Sequence, residues 1–409
     1  MRVLFLSQIV PYPPHGGVLQ RGYNLVRELG RRAEVHLLAF NHPDVLPTEE
    51  TVEESRRELS RWCARVEYFS LWAKASKVHR LAALAASAGS ATPFSFVAHR
   101  SNALQRRIDQ LLEEARFDVV HVDTIALSQF VTNGIGTAKV LTHHNIESML
   151  MDRRAQMESG FAARTFLRRE AAKLMGVERA LAPTFDVNIV VSPSDRSALE
   201  ALAPRATTAV VPNGVNTDYF TPDPDAETPA LIYGGGMNMF ANRDAVMHFV
   251  DDIWPLVQAQ RPDVTFYAVG QDPPPQLKAA AERDPRIKVT GFVSDIRDYI
   301  RKAAVYVVPL RVGGGTRLKV LDAMAMGKAM VSTSIGCEGI DVRDGENLVI
   351  ADDARAFADS TIALLGDRSR RMALGRAARS LVERQYSWPV IGDQLLDAYR
   401  LAEARTQSR

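Results

Sequence analysis

The chain has 409 residues. A single hydrophobic core seldom supports a chain of this length, so we expect two domains. Its hydrophobic fraction of 46% excludes a mostly disordered chain, and its formal net charge of +2 gives no overall attraction to nucleic acid. No apolar run is long enough to span a bilayer, and the short run at the start predicts a strand rather than a signal peptide. Cys63 and Cys337 lie far apart without metal-ligand spacing, and we expect both to be buried and reduced.

Short apolar segments alternate with helical patterns along the whole chain. Many of these segments are continuously apolar, which is typical of parallel strands covered by helices on both faces. Alternation in two blocks therefore predicts an α/β protein with two doubly wound domains. The predicted strands are Val3–Ser7, Glu34–Phe40, Arg65–Ser70, Asp118–Val122, Lys139–His143, Val187–Ser192, Ala209–Pro212, Leu231–Gly234, Val264–Gly270, Ile287–Thr290, Ala304–Pro309, Ala329–Thr333 and Leu348–Ile350.

The loop after the first predicted strand carries Gly16 and Gly17, just before a helix predicted from Leu19. In a doubly wound sheet such loops line the ligand crevice, and glycines there let the backbone amides approach a bound anion. A simple turn is the alternative interpretation. We expect His15 to lie at the surface.

Two regions between predicted strands are helical in pattern and rich in cations. Residues 72–116 are predicted to be helical, and residues 151–183 are predicted to hold a basic helix. A solvated helix face is the simpler interpretation, and a surface that contacts anionic lipid headgroups is the other. The cations of the second region are Arg153, Arg154, Arg164, Arg168, Arg169 and Lys173.

Two adjacent histidines, His143 and His144, follow a predicted strand of the first domain. Side chains of neighbouring residues on an extended chain point in opposite directions, so this pair is a poor joint metal site. We expect one histidine to face the core and the other to face the crevice, where it could orient a hydroxyl or exchange a proton with it. Glu147 or Asp123 could hold that histidine in one tautomer.

The predicted joint between the domains, residues 216–229, is rich in Pro, Asp and Thr. It contains Asp223-Pro224-Asp225, which matches an Asp-x-Asp pattern. No apolar strand precedes that pattern to position it, so we interpret it as linker. Beyond the joint, Gly234-Gly235-Gly236 ends a predicted strand, and Asn242 and Arg243 stand at the start of a helix predicted over 242–260.

The segment 309–328 has the most chemical content. It predicts a buried strand, a turn with three consecutive glycines and a helix over Leu318–Met326. Arg317 and Lys319 stand beside the positive end of that helix, which favours a bound diphosphate. The spacing is not that of a nucleotide-triphosphatase loop. Asp322, in the second helical turn, could accept hydrogen bonds from a ribose.

Taken together, these segments resemble the retaining glycosyltransferases of family 4, which have the GT-B fold. The resemblance covers nearly the full length of the chain. Its most specific marks are the segment Pro212-Asn213-Gly214-Val215 and the glycine turn that leads into Asp322. The supporting marks are Gly16-Gly17, His144-Asn145, Val191-Ser192 with Asp195, Phe220, Gly291–Asp295, Ala323–Gly327 and Tyr386-Ser387-Trp388.

The resemblance implies two Rossmann-like doubly wound domains that face each other across a cleft. Residues 1–215 would form the N-terminal acceptor-binding domain, and residues 216–385 the C-terminal domain that binds the nucleotide sugar. Residues 386–409 would form a helix that crosses back onto the N-terminal domain.

The resemblance also implies roles for individual residues. His144 and Arg317 would act in catalysis, no metal would be bound, and no cofactor is expected beside the nucleotide-diphospho-sugar co-substrate. Gly313 and Gly314 would lie at the donor sugar. The nucleoside would contact Gly235, Phe292, Val293 and Asp322. The donor phosphates would contact Gly16, Gly17, Arg243, Gly315, Thr316, Arg317, Leu318 and Lys319.

One departure from the family pattern concerns the donor sugar. The family commonly has two glutamates separated by seven residues, and those positions are Gly314 and Asp322 here. A glycine cannot reach the sugar with a side chain. Its backbone amides could substitute, or the sugar is held differently, or transfer is lost.

The implied activity is that of a hexosyltransferase (EC 2.4) that uses a UDP- or GDP-sugar, with retention of the anomeric configuration and without a metal. The acceptor would be a polysaccharide or a lipid-linked glycan of the cell envelope. The enzyme would be cytoplasmic and peripheral at the inner face of the membrane, with an anionic membrane surface as a partner, and monomeric or homodimeric.

Two other functions stay open. An epimerase of the same fold would need paired carboxylates in the crevice, and the sequence places no convincing pair. A non-catalytic nucleotide-sugar-binding or scaffold protein would be consistent with Gly314.

Overall fold

The computed structural model describes residues 1–14, 16–131, 136–313 and 317–408. The chain divides into two compact units. Unit 1 comprises Met1–Pro212 and Ile391–Arg409, and unit 2 comprises Asn213–Val390. The sequence-based boundaries at 215 and 385 lie within five residues of this division.

Unit 1 is built on a seven-stranded sheet in which all paired neighbours run parallel, in the order β3-β2-β1-β4-β5-β6-β7. Its strands are β1 (Arg2–Ser7), β2 (Glu34–Asn41), β3 (Arg65–Ser70), β4 (Val119–Val122), β5 (Ala138–His143), β6 (Val187–Val190) and β7 (Thr208–Val210). Its helices before the joint are α1 (Gly17–Gly30), α2 (Glu49–Leu59), α3 (Lys77–Ala88), α4 (Phe94–Ala98), α5 (Asn102–Glu114), α6 (Glu147–Met157), α7 (Phe161–Leu181) and α8 (Pro193–Leu202).

Unit 2 repeats the same plan with a six-stranded parallel sheet in the order β10-β9-β8-β11-β12-β13. Its strands are β8 (Thr228–Gly234), β9 (Thr265–Val269), β10 (Ile287–Gly291), β11 (Ala303–Val308), β12 (Ala329–Ser332) and β13 (Val349–Ile350). The remaining helices are α9 (Phe240–His248), α10 (Trp254–Gln260), α11 (Pro275–Arg283), α12 (Arg297–Lys302), α13 (Leu318–Ala325), α14 (Ala354–Gly366), α15 (Arg368–Gln385) and α16 (Trp388–Gln407).

The strand prediction is confirmed, because each predicted strand is present with its ends shifted by no more than three residues. In both sheets the strand order reverses beside the first strand of the unit, between β1 and β4 and between β8 and β11. Ligands of doubly wound sheets bind at the carboxyl ends of the strands at such a reversal. Each unit therefore has one edge where a ligand site is expected.

Two helix predictions are wrong in detail. The helix predicted over 242–260 begins at Phe240 and is interrupted by a π-helical turn, Phe249–Ile253. Pro255 follows one residue later, after Trp254, and its missing N–H and its ring exclude regular helical hydrogen bonding to the preceding turn. The basic helix predicted over 151–183 is instead two helices, α6 and α7, and Gly160 stands at the start of the second.

The C-terminal helix α16 packs mainly on unit 1. Its buried residues recur at helical spacing and include Ile391, Leu395 and Tyr399. The Tyr399 hydroxyl lies 2.6 Å from Nδ1 of His121 on β4, and Arg32 of the first unit lies 3.3 Å from the Asp393 carboxylate. Both cysteines are buried and form no disulfide, as predicted.

Candidate functional site

In unit 2, two loops pack tightly at the carboxyl edge of the sheet. The carbonyl oxygen of Gly235 lies so close to Gly270 that a Cβ atom at position 270 would be only 2.0 Å from it, which is a steric clash. The loop after β9 can therefore lie against the loop after β8 only with a glycine at position 270. This contact fixes the backbone of the predicted nucleoside-binding loop.

Lys319 joins that glycine loop to helix α13. Its Nζ donates to the Tyr233 hydroxyl at 3.0 Å and to Oδ1 of Asn242 at 2.7 Å. A Cβ at Gly235 would lie 2.4 Å from the same Nζ, so the ammonium occupies the space that the glycine leaves open. Burial, and then the nearby Arg317 charge, lower the pKa of Lys319 to about 7.

Asp322 lies on α13 one turn beyond Leu318. The residue as a whole is only partly buried, but its Oδ1 is enclosed and has no hydrogen-bond partner among the described residues. Burial raises the pKa of this carboxyl to about 7. A buried acceptor without a donor is uncommon in native proteins and suits a ligand that brings its own hydroxyl groups.

Arg317 stands at the N-cap position of α13, against Gly313. Its side chain is 9% exposed, and its Nη2 lies 3.7 Å from the Glu338 carboxylate and donates to the Ile335 carbonyl at 3.4 Å. A Cβ at Gly313 would lie 2.7 Å from the same nitrogen, and Gly313 has a φ of 146° that favours glycine. The structure thus brings together Gly235, Gly313, Arg317 and Lys319.

The other residues predicted to bind the nucleotide sugar are not part of this group. Phe292, just after β10, exposes 73% of its surface, whereas Val293 packs partly against the core of unit 2. The Arg243 side chain is exposed on α9, and Leu318 is partly buried at the start of α13. Gly314, Gly315 and Thr316 lie outside the described residues, as does His15 of the first unit.

In unit 1, His144 and Asp123 come together at the carboxyl ends of β5 and β4. Nε2 of His144 lies 3.2 Å from Oδ1 of Asp123, although neither atom has an aligned hydrogen bond. The Asp123 carboxylate is buried, and its other oxygen lies 3.5 Å from the Ser7 hydroxyl. Of the two carboxylates suggested for holding this histidine, the structure places Asp123 beside it.

The two adjacent histidines separate as the strand geometry predicts. His143 is buried and lies 3.1 Å from Oδ1 of Asn188, and burial lowers the pKa of His143 to about 4. His144 is only partly buried. The other suggested carboxylate, Glu147, accepts instead from the Thr124 hydroxyl at 3.0 Å.

Gly16 and Gly17 are exposed at the start of α1, where Gly16 has a φ of 94° and no side chain caps the helix. The first helical amides are therefore oriented as an anion site requires. One turn further, a residue that the sequence analysis missed anchors the same helix. Arg21 is buried, and its guanidinium donates to the carbonyls of Pro212 and Val211 at 2.7 and 2.8 Å.

Glu178, a buried carboxylate near Glu147, was also missed by the sequence analysis. Glu178 on α7 accepts hydrogen bonds from the backbone N–H and the hydroxyl of Ser148, which hold the first turn of α6 directly after His144. Burial raises the pKa of Glu178 to about 7, against the effect of these hydrogen bonds, and also raises that of Glu147. Because Glu178 is committed to this helix start, the pair gives no support to an epimerase.

Within the described ranges, no group of three His, Cys, Asp or Glu side chains is arranged to hold a metal ion. In the same part of the chain, no helix combines the length and apolarity needed to cross a membrane.

Two doubly wound units with ligand edges rich in glycine define the architecture of the GT-B glycosyltransferases. The chain belongs to glycosyltransferase family 4, since the model described as "Glycosyltransferase Family 4" matches residues 15–219. A second model, "Glycosyl transferases group 1", matches residues 228–367.

Two curated relatives are similar to this chain in sequence. A phosphatidyl-myo-inositol mannosyltransferase of Mycobacterium tuberculosis is 31% identical over 205 residues, which cover 46% of this chain and 53% of that protein. The chain thus spans about half the length of that relative. An uncharacterised 44.6 kDa protein from the cps region of Klebsiella pneumoniae is 22% identical over 94% of this chain and 96% of its own length.

The solved structures show the fold alone, because their identities are low. Sucrose-phosphate synthase from Thermosynechococcus elongatus superposes with a TM-score of 0.70 at 19% identity, over 99% of this chain and 100% of that chain. HepE of Anabaena, in complex with UDP, gives 0.69 at 17% identity, over 98% and 100%.

Proposed function

We propose that this protein transfers a sugar from a UDP- or GDP-sugar to a polysaccharide or lipid-linked acceptor, with retention of configuration and without a metal. The observation that carries the proposal is the start of α13. There Lys319 meets the glycine loop after β8, Arg317 lies against Gly313, and Asp322 has a buried oxygen with no hydrogen-bond partner among the described residues. This arrangement offers cations to a diphosphate and an acceptor to a ribose.

Unit 2 would hold the donor in this scheme. The cations and the start of α13 stabilise negative charge on the diphosphate as its bond to the sugar breaks. Asp322 accepts from the ribose hydroxyls, and the exposed Phe292 offers a face for the base. No metal is needed if the cations supply this stabilisation.

Unit 1 would hold the acceptor, with His144 as the group that orients the acceptor hydroxyl. The acceptor oxygen forms a bond to the anomeric carbon on the face from which the diphosphate departs. The proton of the acceptor hydroxyl passes to a departing phosphate oxygen. Asp123 keeps the His144 imidazole in place.

The names of the relatives support the substrate classes of this proposal. Beside the phosphatidyl-myo-inositol enzyme, a GDP-mannose-dependent phosphatidylinositol monomannoside mannosyltransferase of Mycobacterium tuberculosis is 23% identical over 71% of this chain and 86% of its own. HepE has been solved with UDP-glucose. A lipid-linked acceptor would place the enzyme at the cytoplasmic face of a membrane.

Nucleotide binding and transfer test the proposal directly. At a concentration of about 100 times the dissociation constant, the matching diphosphate should stabilise the fold by about 2.7 kcal/mol, and the nucleoside alone far less. Incubation of the donor sugar with lipid-linked glycan should release diphosphate equally with and without EDTA, and NMR of the product should show retention. No stabilisation and no release with either donor class would refute the proposal. Conversion of the donor without acceptor would indicate an epimerase instead.

We expect the affinity for the diphosphate to be highest near pH 7. Above pH 7 the free protein loses the proton of Lys319, so diphosphate binding must take up a proton and weakens as the pH rises. Below pH 7 Asp322 becomes protonated and accepts poorly from the ribose, so binding weakens again. Isothermal titration from pH 5.5 to 9 in buffers of different ionisation enthalpy would measure both limbs.

Asp322→Asn serves as the control for that experiment. It should move the acidic limb down to about pH 6, where the terminal phosphate of the ligand takes up a proton, and leave the alkaline limb unchanged. A flat profile in the unmodified protein, or an acidic limb that stays near pH 7 in the variant, would contradict this assignment.

A further inference from the structure

The loop after β12, residues 333–340, is held closely beside the end of β11. The Thr333 hydroxyl donates to the carbonyl of Leu310, just after β11. At Gly336 a Cβ atom would lie 2.7 Å from the carbonyl oxygen of Val308, so this close approach of the two backbones requires glycine. The loop therefore presents its side chains at a fixed place on the carboxyl edge of the unit 2 sheet.

This loop places Glu338 beside Arg317. Oε2 of Glu338 lies 3.7 Å from Nη2 of Arg317, and the same nitrogen donates to the carbonyl of Ile335 in the same loop at 3.4 Å. Arg317 itself stands at the start of α13, against Gly313. A carboxylate from the loop after β12 thus lies next to the cation that is proposed to bind the donor diphosphate.

The Glu338 carboxylate can accept hydrogen bonds from a ligand. Its side chain is 35% exposed, and among the described residues no donor forms a hydrogen bond with it, since the ion-pair distance of 3.7 Å is too long. Two neighbouring carboxylates are already engaged. Asp244 accepts two hydrogen bonds from Arg311. Asp352 accepts from the backbone N–H and the hydroxyl of Ser334.

The donor sugar needs an acceptor of this kind. The family pattern has a glutamate at position 314, where this chain has a glycine without a side chain. Sugar hydroxyls that leave water must find new hydrogen-bond partners in the site. Because the sugar is joined directly to the diphosphate, a carboxylate beside Arg317 would be within reach of it.

We propose that Glu338 binds hydroxyl groups of the donor sugar and so takes the place of the family glutamate at position 314. The inference rests on the proposed function, because it concerns the sugar of the same donor. An ionised carboxylate accepts from hydroxyl groups and repels a second carboxylate. Glu338 therefore selects a neutral sugar with free hydroxyl groups over a uronic acid.

Titration calorimetry on the full chain tests the contact with the sugar. The ligands are UDP, GDP and four neutral sugar nucleotides, namely UDP-glucose, UDP-galactose, UDP-N-acetylglucosamine and GDP-mannose. For the sugar nucleotide that binds most tightly, Glu338→Gln should raise the dissociation constant by about tenfold, because a hydrogen bond to a charged group is lost, and Glu338→Ala should raise it further. The dissociation constant of the matching nucleoside diphosphate should stay the same or fall, because a negative charge near the phosphates is removed.

A uronic acid donor tests the selection by charge. The uronate with the matching nucleotide, UDP-glucuronate or GDP-mannuronate, should bind the unmodified protein at least about tenfold more weakly than the neutral sugar nucleotide. Glu338→Gln should reduce this difference. Glu338→Asp, which retains the charge on a shorter side chain, should preserve it.

Glu346→Gln is the matched control. Glu346 also belongs to unit 2 and pairs loosely with an arginine, since its carboxylate lies 3.6 Å from Arg343, but both side chains are exposed. The control should bind every ligand as the unmodified protein does, and melting curves should show all variants folded. Unchanged affinity for the sugar nucleotide in both Glu338→Gln and Glu338→Ala overturns the inference. Equal weakening of the diphosphate and the sugar nucleotide also overturns it, since Glu338 would then act only by holding Arg317.

A failure here differs from a failure of the proposed function. If the unmodified protein binds the diphosphate and its sugar nucleotide but Glu338 does not affect the sugar, this inference alone is refuted. If the unmodified protein binds neither UDP nor GDP, the proposed function is refuted, and this inference with it.

Discussion

Replacing Arg317 and Lys319 together by alanine is expected to lower sugar transfer by about 1,000-fold or more and to abolish stabilisation by nucleoside diphosphates. Both cations stand at the start of α13, where the charge of a leaving diphosphate would develop. Lys319 also links Tyr233 and Asn242, so its loss frees the glycine loop after β8. Melting curves with and without the diphosphate, together with a diphosphate-release assay, measure the two effects.

A matched pair of cations on the same unit separates site chemistry from net charge. Arg370→Ala with Arg376→Ala removes the same charge from the exposed side of α15 and should leave transfer and nucleotide binding unchanged. If the Arg317 and Lys319 variant were still stabilised by UDP or GDP, the donor would have to bind elsewhere. If it kept binding but lost transfer, the cations would act on the leaving group alone.

The fold was predictable because its main signal is local. Continuous apolar runs such as Ala304–Pro309 lie on a strand buried on both faces, and β11 is fully buried in the structure. The errors occur where one residue overrides the pattern. Pro255 interrupts the helix that the apolar periodicity of 242–260 predicts, and the break at Gly160 divides a basic region whose composition is uniform.

The sequence predicts a class of ligand for the candidate site, but it does not predict the orientation of the side chains there. Glycines and cations before a helix are typical of an anion site, so Arg317 and Lys319 could be named as candidate phosphate ligands from the sequence. That Lys319 turns inward to Tyr233 depends on a residue 86 positions away. Only the sheet topology, which places β8 beside β11, brings them together.

Arg21 shows the limit of sequence interpretation most clearly. On α1 it occupies a buried position, and nothing in the local sequence pattern indicates its partners. The carbonyls it binds, at Val211 and Pro212, are about 190 residues away. The Pro212–Val215 segment was recognised as a mark of the family, and the structure supplies a physical reason for part of it. The Arg21 cation fixes the carbonyl of Pro212, its first residue, and that of Val211 just before it.

Replacing His144 by alanine is expected to lower transfer by about 100-fold or more while leaving nucleotide stabilisation intact. The histidine belongs to unit 1, whereas the residues proposed to bind the donor belong to unit 2. Its side chain is only partly buried, so the truncation should change the melting temperature little. A variant that kept full transfer would exclude His144 from the reaction.

Asp123→Asn should act on both activity and stability, because Asp123 serves two neighbours. The Asp123 carboxylate lies beside His144, and its negative charge also favours the protonated form of the buried Arg21. Its neutralisation should lower the free energy of unfolding by about 1 kcal/mol, since it removes a negative charge that favours the buried Arg21 cation. If Asp123 is a positioning residue that acts through His144, then adding Asp123→Asn to His144→Ala should reduce transfer little further, while the loss of stability persists. Effects on transfer that multiply in the double variant would instead show that Asp123 acts independently of the histidine.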